Sequence, residues 1–434
     1  MNVAEVYLWG TRIGAVAQEG IGDVPRFNYD RNFLLSQIEV APIAMPLSER
    51  IYSFPALAKE TFHGLPGLLA DSLPDKFGTK LIERYLEEQG RDIRSLTAVE
   101  RLLYTGKRGM GALEYAPQKD YAKVTDTSIN ISALVELASA ILLERENVHI
   151  RADERTMEQI INVGTSAGGA RAKAIIAWNP KTRDVRSGQI DAGNGYEYWL
   201  IKFDGVENNK DKGEKADSPA YTRIEYAYYL MAKAAGIVMN ECQLYQESGH
   251  YHFMTKRFDR DKEGKKIHMQ SLGAMAHYDY NMPGAYSYEQ AAYIMNRLHL
   301  GQKAIEQLFR RMTFNILARN QDDHVKNISF LMDKAGKWHL APAYDITYAN
   351  DASNHWLARH QMTMNGKAEH FTLDDFYKCG SAMNLSKAKA KKIITEVQSS
   401  LRLWEACAEK AFLEENVMSM IKQQFIELEP AVFL

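Results

Sequence analysis

The stretch NQDDHVKNISFLMDKAGKWHLAPAYDI, residues 320–346, carries the polar residues that decide the fold. A helix is predicted to end near Arg319, and the apolar runs on either side of the turn DKAGK are predicted to form two strands. Asp322 and Asn327 precede this hairpin, and Asp345 follows it. Kinase-type phosphoryl transfer uses one Asp to orient or deprotonate the acceptor hydroxyl, and an Asn and a second Asp to hold Mg²⁺ against the phosphates. The combination predicts that chemistry, although each residue alone is more typical of a solvated turn or a cap.

A glycine-rich stretch lies upstream, GTSAGGARAKA at residues 164–174. Its glycines let backbone N–H groups approach a phosphate, but it lacks both the Walker A ending and the dinucleotide fingerprint, so alone it is as typical of a flexible turn. Lys202 follows in the predicted strand YEYWLIKFD, on one face with Tyr198 and Leu200. A charge on that face is costly unless it is paired or faces a ligand. A glycine-rich loop, a strand lysine and the later Asp and Asn residues thus occur in the order found in kinases.

The composition is that of an ordinary globular protein, with 434 residues, 46% apolar and 25% charged, and a net charge of −2. This balance excludes a strongly basic nucleic-acid-binding protein. The three cysteines are widely spaced and form no CxxC pair, which is typical of a reducing compartment. Neither a signal peptide nor an apolar run long enough to span a membrane is expected. We therefore expect a cytoplasmic protein without membrane contact.

Strands dominate the first part of the chain, an amphipathic helix (ISALVELASAILLERE) follows, and from about residue 287 the pattern is largely helical. This order predicts an α+β fold with two lobes. We expect a β-rich N-terminal subdomain at 1–125, a kinase N-lobe with the glycine-rich loop at 126–260, and a helical C-lobe with the catalytic and metal-binding loops at 261–434. One helical stripe in the last part is predicted to be core: Ile305, Leu308, Phe309, Met312 and Ile316.

Blocks along most of the chain resemble the HipA family of bacterial toxin kinases. The segments VYLWGTRIGAV, FNYD and GLLADSLPDKFG resemble the family's N-terminal subdomain, and TSAGGARAKA, WLIKFD, TKRFDR, NQDDHVKNISF and AYDI resemble successive blocks of its kinase core. The DxHxKN block is the most specific of these, and the shared order is more specific still. The resemblance implies a two-lobed, protein-kinase-like fold. The block IHMQSLGAMAHYDYNMPGAYSYEQ departs from the best-known members, which leaves the protein substrate open.

The resemblance also implies roles for individual residues. Asp322 matches the catalytic Asp, and Asn327 and Asp345 match the residues that bind Mg²⁺. The residues implied to bind ATP are Ser166, Ala167, Gly168 and Gly169 in the phosphate loop, Lys202 at the phosphates, the backbone of Lys256 and Phe258 at adenine, Asp259 at the ribose, and His324 and Lys326 in the catalytic block. His324 is also expected to shape the loop beside Asp322.

Ser166 matches the serine that the family phosphorylates on itself, an event that ejects the loop and switches the kinase off. Electrostatics explains the direction of this switch, because a phosphoserine brings roughly two negative charges into a loop that should hold the phosphates of ATP. Thr165 is the competing acceptor.

Two further choices stay open in the sequence. Asp323 is a second candidate for the base, although the Asn five residues after Asp322 and the family match favour Asp322. Glu225, on the helix after the strand of Lys202, is either the partner of that lysine or a solvated surface residue.

The expected function is Mg-ATP-dependent phosphorylation of a serine or threonine on a protein. The resemblance implies a toxin that stops growth, a HipB-like helix-turn-helix antitoxin, operator DNA contacted mainly through the antitoxin, and a translation-related substrate such as an aminoacyl-tRNA synthetase. One alternative is a catalytically weak binding module that acts as a co-repressor with an antitoxin, and intact Lys202, Asp322, Asn327 and Asp345 argue against it. A second alternative is a small-molecule or lipid kinase.

Overall fold

The computed structural model describes residues 1–119, 128–142, 163–164, 171–189, 191–206 and 220–428. The chain forms two compact units. The first unit comprises Met1–Pro219, Tyr245–Gln270 and Leu331–Lys337, and the second comprises Ala220–Leu244, Ser271–Phe330 and Trp338–Leu434. The chain combines largely antiparallel sheets with runs of helices, which confirms the predicted α+β class. The three-part division at residues 125 and 260 stays a prediction.

The first unit begins with an antiparallel four-stranded sheet. Its strands are β1 (Asn2–Leu8), β2 (Thr11–Gln18), β3 (Arg26–Tyr29) and β4 (Leu113–Ala116), in the order β3-β2-β1-β4. Trp9 and Gly10 connect β1 to β2 with φ values of 50° and 81°, the left-handed backbone of a two-residue hairpin turn. Ala4, Val6 and Leu8 are buried at every second position of β1, the period expected of a strand with one face in the core.

Helices of the first unit pack around the strands. They are α1 (Arg31–Leu34), α2 (Lys59–Phe62), α3 (Gly67–Ala70), α4 (Lys76–Glu88), α5 (Ala98–Thr105) and α6 (Ile131–Leu142), with a 3₁₀ turn at Ile93–Ser95. Asp75 caps α4 by accepting a hydrogen bond from the Gly78 N–H at 2.6 Å. Thr97 and Glu100 form a reciprocal capping box at the start of α5, which satisfies two backbone N–H groups that the helix cannot.

A five-stranded sheet carries the lysine singled out in the sequence. Its strands are β5 (Lys173–Trp178), β6 (Val185–Ser187), β7 (Glu197–Lys202), β8 (Cys242–Glu247) and β9 (His250–Lys256), in the order β6-β5-β7-β9-β8. Trp199, Ile201 and Phe203 are fully buried in a core shared with residues of α4 and α6, as their alternation predicts. Lys173 and Lys202 are opposite each other in the β5–β7 register, so the two lysines share a face of the sheet.

The second unit is mainly helical. Its helices are α7 (Tyr221–Ala234), α8 (Leu272–Ala276), α9 (Tyr288–Arg297), α10 (Gln302–Leu317), α11 (Leu373–Ala382), α12 (Lys387–Leu401), α13 (Trp404–Lys410) and α14 (Glu415–Lys422). The predicted apolar stripe lies on α10 and is at most 1% exposed, which confirms it as core: Ile305, Leu308, Phe309, Met312 and Ile316.

Short strands complete the fold. They are β10 (His268–Ser271), β11 (Tyr286–Ser287), β12 (Ser329–Met332), β13 (Trp338–Leu340) and β14 (Met362–Thr363). The predicted hairpin is present, because β12 and β13 are neighbours and Gly336 turns between them with a φ of 81°. Within the described ranges, none of the helices is both long and apolar enough for a bilayer crossing.

Candidate active site

The polar loop that follows α10 is held at its first residues. The chain turns at Arg319, whose φ is 57°, and Asn320 then forms a parallel β-bridge with Ala349. The Asn320 side-chain amide donates to Oδ1 of Asn315 on α10 at 3.0 Å. Both backbone and side-chain bonds therefore fix the point from which the loop starts.

Asp322, His324 and Asn327 lie together in this loop. A 3₁₀ turn over Val325–Asn327 brings Asn327 back, so that its Nδ2 donates to the backbone carbonyl of Asp322 at 2.8 Å. Nε2 of His324 lies 3.7 Å from Oδ1 of Asp322. The Asp322 side chain is 19% exposed, so a reactant can reach its carboxylate.

The segment after β13 brings Asp345 beside the same loop. The Tyr344 hydroxyl donates to the Lys326 carbonyl and also bonds the Ser329 hydroxyl. Asp345 has a φ of 51°, in the left-handed region. That conformation costs a residue with a Cβ about 1–3 kcal/mol, and such residues cluster at functional sites. The hydrogen bonds of the neighbouring Tyr344 therefore help to keep Asp345 in this conformation.

One small pocket of about 20 Å³ is lined by His324, Asn327 and Asp345. Arg311 of α10 lines it as well, and Nη2 of its buried guanidinium donates to the Ala341 carbonyl at 2.7 Å. Burial lowers the pKa of Arg311 to about 10, so the side chain is still positive at neutral pH. The pocket combines a guanidinium, which suits the binding of phosphates, with a carboxylate and an amide, whose oxygens suit the binding of a metal ion.

The donor set fits a metal ion that is shared with phosphates. Over the part of the chain that the structure describes, no three His, Cys, Asp or Glu side chains are grouped as a metal site. Mg²⁺ at a phosphoryl-transfer site typically takes one or two carboxylates and completes its shell with water and substrate phosphates. Asp345 provides such a carboxylate, and Asn327 provides an amide oxygen because its Nδ2 already bonds Asp322.

Lys202 ends β7 and is buried. Its Nζ lies 5.7 Å from the centre of the Phe253 ring, a cation–π contact. On the neighbouring strand, Nζ of the buried Lys173 lies 2.9 Å from Oδ2 of Asp75. Buried ammonium groups are stable only near anions or acceptors, and Asp75 serves Lys173 in that way.

Asp259 is fully buried in a network of donors. Arg257 approaches it from Nε and Nη2 at 2.8 and 2.6 Å, Nη1 of Arg260 lies at 2.9 Å, and the Gly111 N–H donates to it at 2.7 Å. Burial by itself would raise the pKa of Asp259, but the two arginine charges and these hydrogen bonds hold it well below its usual range. This geometry gives Asp259 a structural role and does not support the ribose contact expected from the resemblance, because the carboxylate is covered.

The neighbouring candidates are partly or fully buried. Lys256 ends β9, and its Nζ lies 2.6 Å from Oε1 of Glu197. Lys256 and Phe258 are both half-buried, and their backbone roles at adenine stay predictions. Glu225 lies on α7 and is 2% exposed, so it is not a solvated surface residue.

The centre of the predicted phosphate loop lies outside the described residues: Thr165, Ser166, Ala167, Gly168 and Gly169. Gly164 is described, and a Cβ there would lie 2.6 Å from Cδ1 of Leu81 on α4. Close packing against that helix explains this glycine. The loop roles, including phosphorylation of Ser166, stay predictions.

Sequence reasoning missed the surroundings of Asp323 and the part played by Arg311. Asp323 is 3% exposed and bonds Tyr288, His360 and the Gln361 backbone, which are 35 to 38 residues away. No motif spacing links positions that far apart. Arg311 could have been noticed as a charge next to the apolar stripe of its helix.

Comparisons with known proteins agree with the resemblance to the HipA family that the sequence segments indicated. Residues 4–116 match the model of the HipA N-terminal domain, and residues 165–404 match the model of the HipA-like C-terminal domain. A Haemophilus influenzae protein named "Putative kinase" is 28% identical over 250 residues, which cover 49% of this chain and 71% of that protein.

A solved structure shares the fold. The Shewanella oneidensis HipA toxin, in its complex with HipB and operator DNA, matches with a TM-score of 0.63 and 16% identity over 97% of this chain and 95% of that one. The C-terminal family model alone covers more than half of the sequence. The chain therefore belongs to the HipA family.

Proposed function

We propose that the chain is a Mg²⁺- and ATP-dependent serine/threonine-protein kinase of the HipA type. One observation carries the proposal: His324 and Asn327 of the DxHxKN block line one pocket with Asp345, and the Asn327 amide is bonded to the backbone carbonyl of Asp322. Kinase-type phosphoryl transfer relies on positioning and charge stabilisation by such a set of residues. Membership of the HipA family supports the same reaction.

Asp322 orients the acceptor hydroxyl and receives its proton, since its side chain is partly exposed and close to the phosphate-handling pocket. Asn327 and Asp345 hold Mg²⁺, which when bound neutralises charge on the phosphates. The Asn327 amide has a second task, because its N–H group keeps the backbone of Asp322 in place. Asp323 is not the base in this proposal, because both of its carboxylate oxygens accept hydrogen bonds in a buried site.

Lys202 positions the phosphates of ATP, which are covered by the loop of Ser166, Ala167, Gly168 and Gly169. The backbone at Lys256 and Phe258 binds adenine, and His324 and Lys326 complete the nucleotide site. Self-phosphorylation of Ser166 switches the kinase off, since the added charge repels the phosphates of ATP. Asp259 is left out of the nucleotide site because it is buried.

A HipB-like antitoxin is the proposed partner, with operator DNA contacted mainly through it. The Shewanella complex of HipA, HipB and operator DNA supports this partner. The chain then acts as a cytoplasmic toxin, and a translation-related protein such as an aminoacyl-tRNA synthetase is the leading substrate.

The test is incubation of the purified chain with labelled ATP and Mg²⁺, alone and with a bacterial lysate, followed by mass spectrometry. The wild type should transfer phosphate to itself or to a lysate protein, and Asp322→Asn should lose this by at least about 10²-fold. Asp374→Asn, at an exposed carboxylate on α11, is the matched control and should behave as wild type.

A wild type that transfers no phosphate refutes the proposal, and operator binding by that same protein would favour the co-repressor alternative. Phosphate found only on small molecules or lipids would favour the alternative of a small-molecule or lipid kinase.

A further inference from the structure

Asp323 stands next to the proposed catalytic residue but has a different environment. Its side chain is 0% exposed. Oδ2 accepts a hydrogen bond from the Tyr288 hydroxyl at 2.7 Å and lies 2.9 Å from Nδ1 of His360, while Oδ1 accepts one from the Gln361 N–H at 2.8 Å. The carboxylate therefore ties the catalytic loop to α9 and to the segment before β14.

The network continues behind Tyr288. Nδ2 of Asn315 on α10 donates to the Tyr288 hydroxyl at 3.1 Å, which directs that hydroxyl's own proton toward Asp323. Oδ1 of Asn315 accepts from Nδ2 of Asn320 at 3.0 Å. The network thus contacts the loop at two places, Asn320 and Asp323, and these positions flank Asp322 in the chain.

The carboxylate is held in its ionised form. Burial alone would raise the pKa of Asp323, but the electrostatic interaction with His360 and the hydrogen bonds with His360, Tyr288 and Gln361 outweigh it, and the pKa lies below its ordinary value. An ionised carboxylate is a stronger acceptor than a neutral one, so its bonds restrict the loop more tightly. A buried carboxylate with both oxygens occupied cannot also serve as the base.

We infer that Asp323, with Tyr288 and His360, is a positioning residue that sets the geometry of Asp322 for phosphoryl transfer. This inference rests on the proposed kinase function, because it assigns Asp323 an effect on the turnover rate. Misplacement of a reacting group by about 1 Å can lower a rate by about 10²-fold even when binding is unchanged. A purely structural carboxylate would lower stability without that effect on rate.

Asp375 offers a matched control in the same unit. It is also buried, and it accepts hydrogen bonds from the backbone and hydroxyl of Thr372, from Asn365 and from Lys367. It caps α11 and is not among the residues that line the pocket of Asp345. Asp375→Asn therefore reports what the loss of a buried, bonded carboxylate does to stability alone.

The experiment compares Asp323→Asn with Asp375→Asn in the full chain. The rate of ADP release and the label transferred to the chain are measured against ATP concentration, and thermal unfolding is recorded for each protein. We expect Asp323→Asn to lower kcat by about 10²-fold while KM for ATP changes by less than about threefold. Asp375→Asn should lower the unfolding temperature and leave kcat within about twofold of wild type.

Milder variants cover the case in which Asp323→Asn does not fold. Tyr288→Phe removes a single oxygen and should also lower kcat more than KM rises. His360→Asn keeps a donor near the position of Nδ1 and should retain more activity than His360→Ala. Unchanged kcat in Asp323→Asn or Tyr288→Phe, with an active wild type, overturns the inference and leaves the kinase proposal standing. A wild type without ATP turnover or transfer overturns both.

Discussion

Lys202 and Lys173 are neighbouring buried lysines for which we expect different effects of substitution. Lys202→Met should lower phosphate transfer by about 10²-fold or more, because it removes the charge proposed to position the phosphates. Lys173→Met breaks the buried pair with Asp75 and should lower the free energy of unfolding by about 3–5 kcal/mol. ADP release and urea unfolding of both variants check this, and equal effects of the two on transfer would contradict it.

Asp259 predicts a pH dependence of stability. Its pKa is lowered in the folded chain, so its contribution is fully present above the unfolded pKa of about 3.9 and is lost as the pH falls through the lower folded value. We expect Asp259→Asn to be less stable than wild type by about 3–5 kcal/mol at pH 7, because two buried arginines lose their partner. Urea unfolding at several pH values should show this difference shrinking below about pH 4. The exposed Asp374→Asn is the control, and a difference that does not vary with pH would be the contrary result.

Among the structural elements, the hydroxyl of Tyr344 joins the 3₁₀ turn, the start of β12 and the segment of Asp345. Tyr344→Phe removes these bonds and should lower the free energy of unfolding by about 1 kcal/mol. Because Asp345 is then less well held, more Mg²⁺ should be needed for half-maximal ADP release. Tyr293→Phe, at an exposed tyrosine on α9, is the control and should change neither quantity. An unchanged Mg²⁺ requirement in Tyr344→Phe would show that Asp345 is held by other contacts.

Elements with a local signal were predictable from the sequence. The alternation around Trp199 set the buried face of β7, and the spacing of apolar residues set the core stripe of α10, because both depend on residues a few positions apart. The residues that hydrogen-bond the buried carboxylates of Asp323 and Asp259 were not predictable in this way. Tyr288 and His360 reach Asp323 only through the tertiary fold, and one donor to the buried Asp259 is the N–H of Gly111, which is 148 residues away.

At the scale of the whole molecule, the region that matches the HipA N-terminal domain, residues 4–116, bonds residues in and next to the five-stranded sheet that contains Lys202. Within the first unit, Asp75 pairs with Lys173 and the Gly111 N–H bonds Asp259. A chain that lacks residues 1–127 should therefore fail to fold, because a buried lysine and a buried carboxylate each lose a partner. Circular dichroism and limited proteolysis test this, with the full chain as control. Cooperative unfolding of the shortened chain near the wild-type temperature would contradict it.

The left-handed backbone of Asp345 has a practical consequence. Asn adopts this conformation more readily than most residues with a Cβ, whereas Ala would add strain. Asp345→Asn should therefore remove a negative charge at little cost to the shape of the loop. Under the proposed function, Asp345→Asn is therefore a folded form without phosphoryl transfer, which can be used to capture the proposed acceptor protein without modifying it.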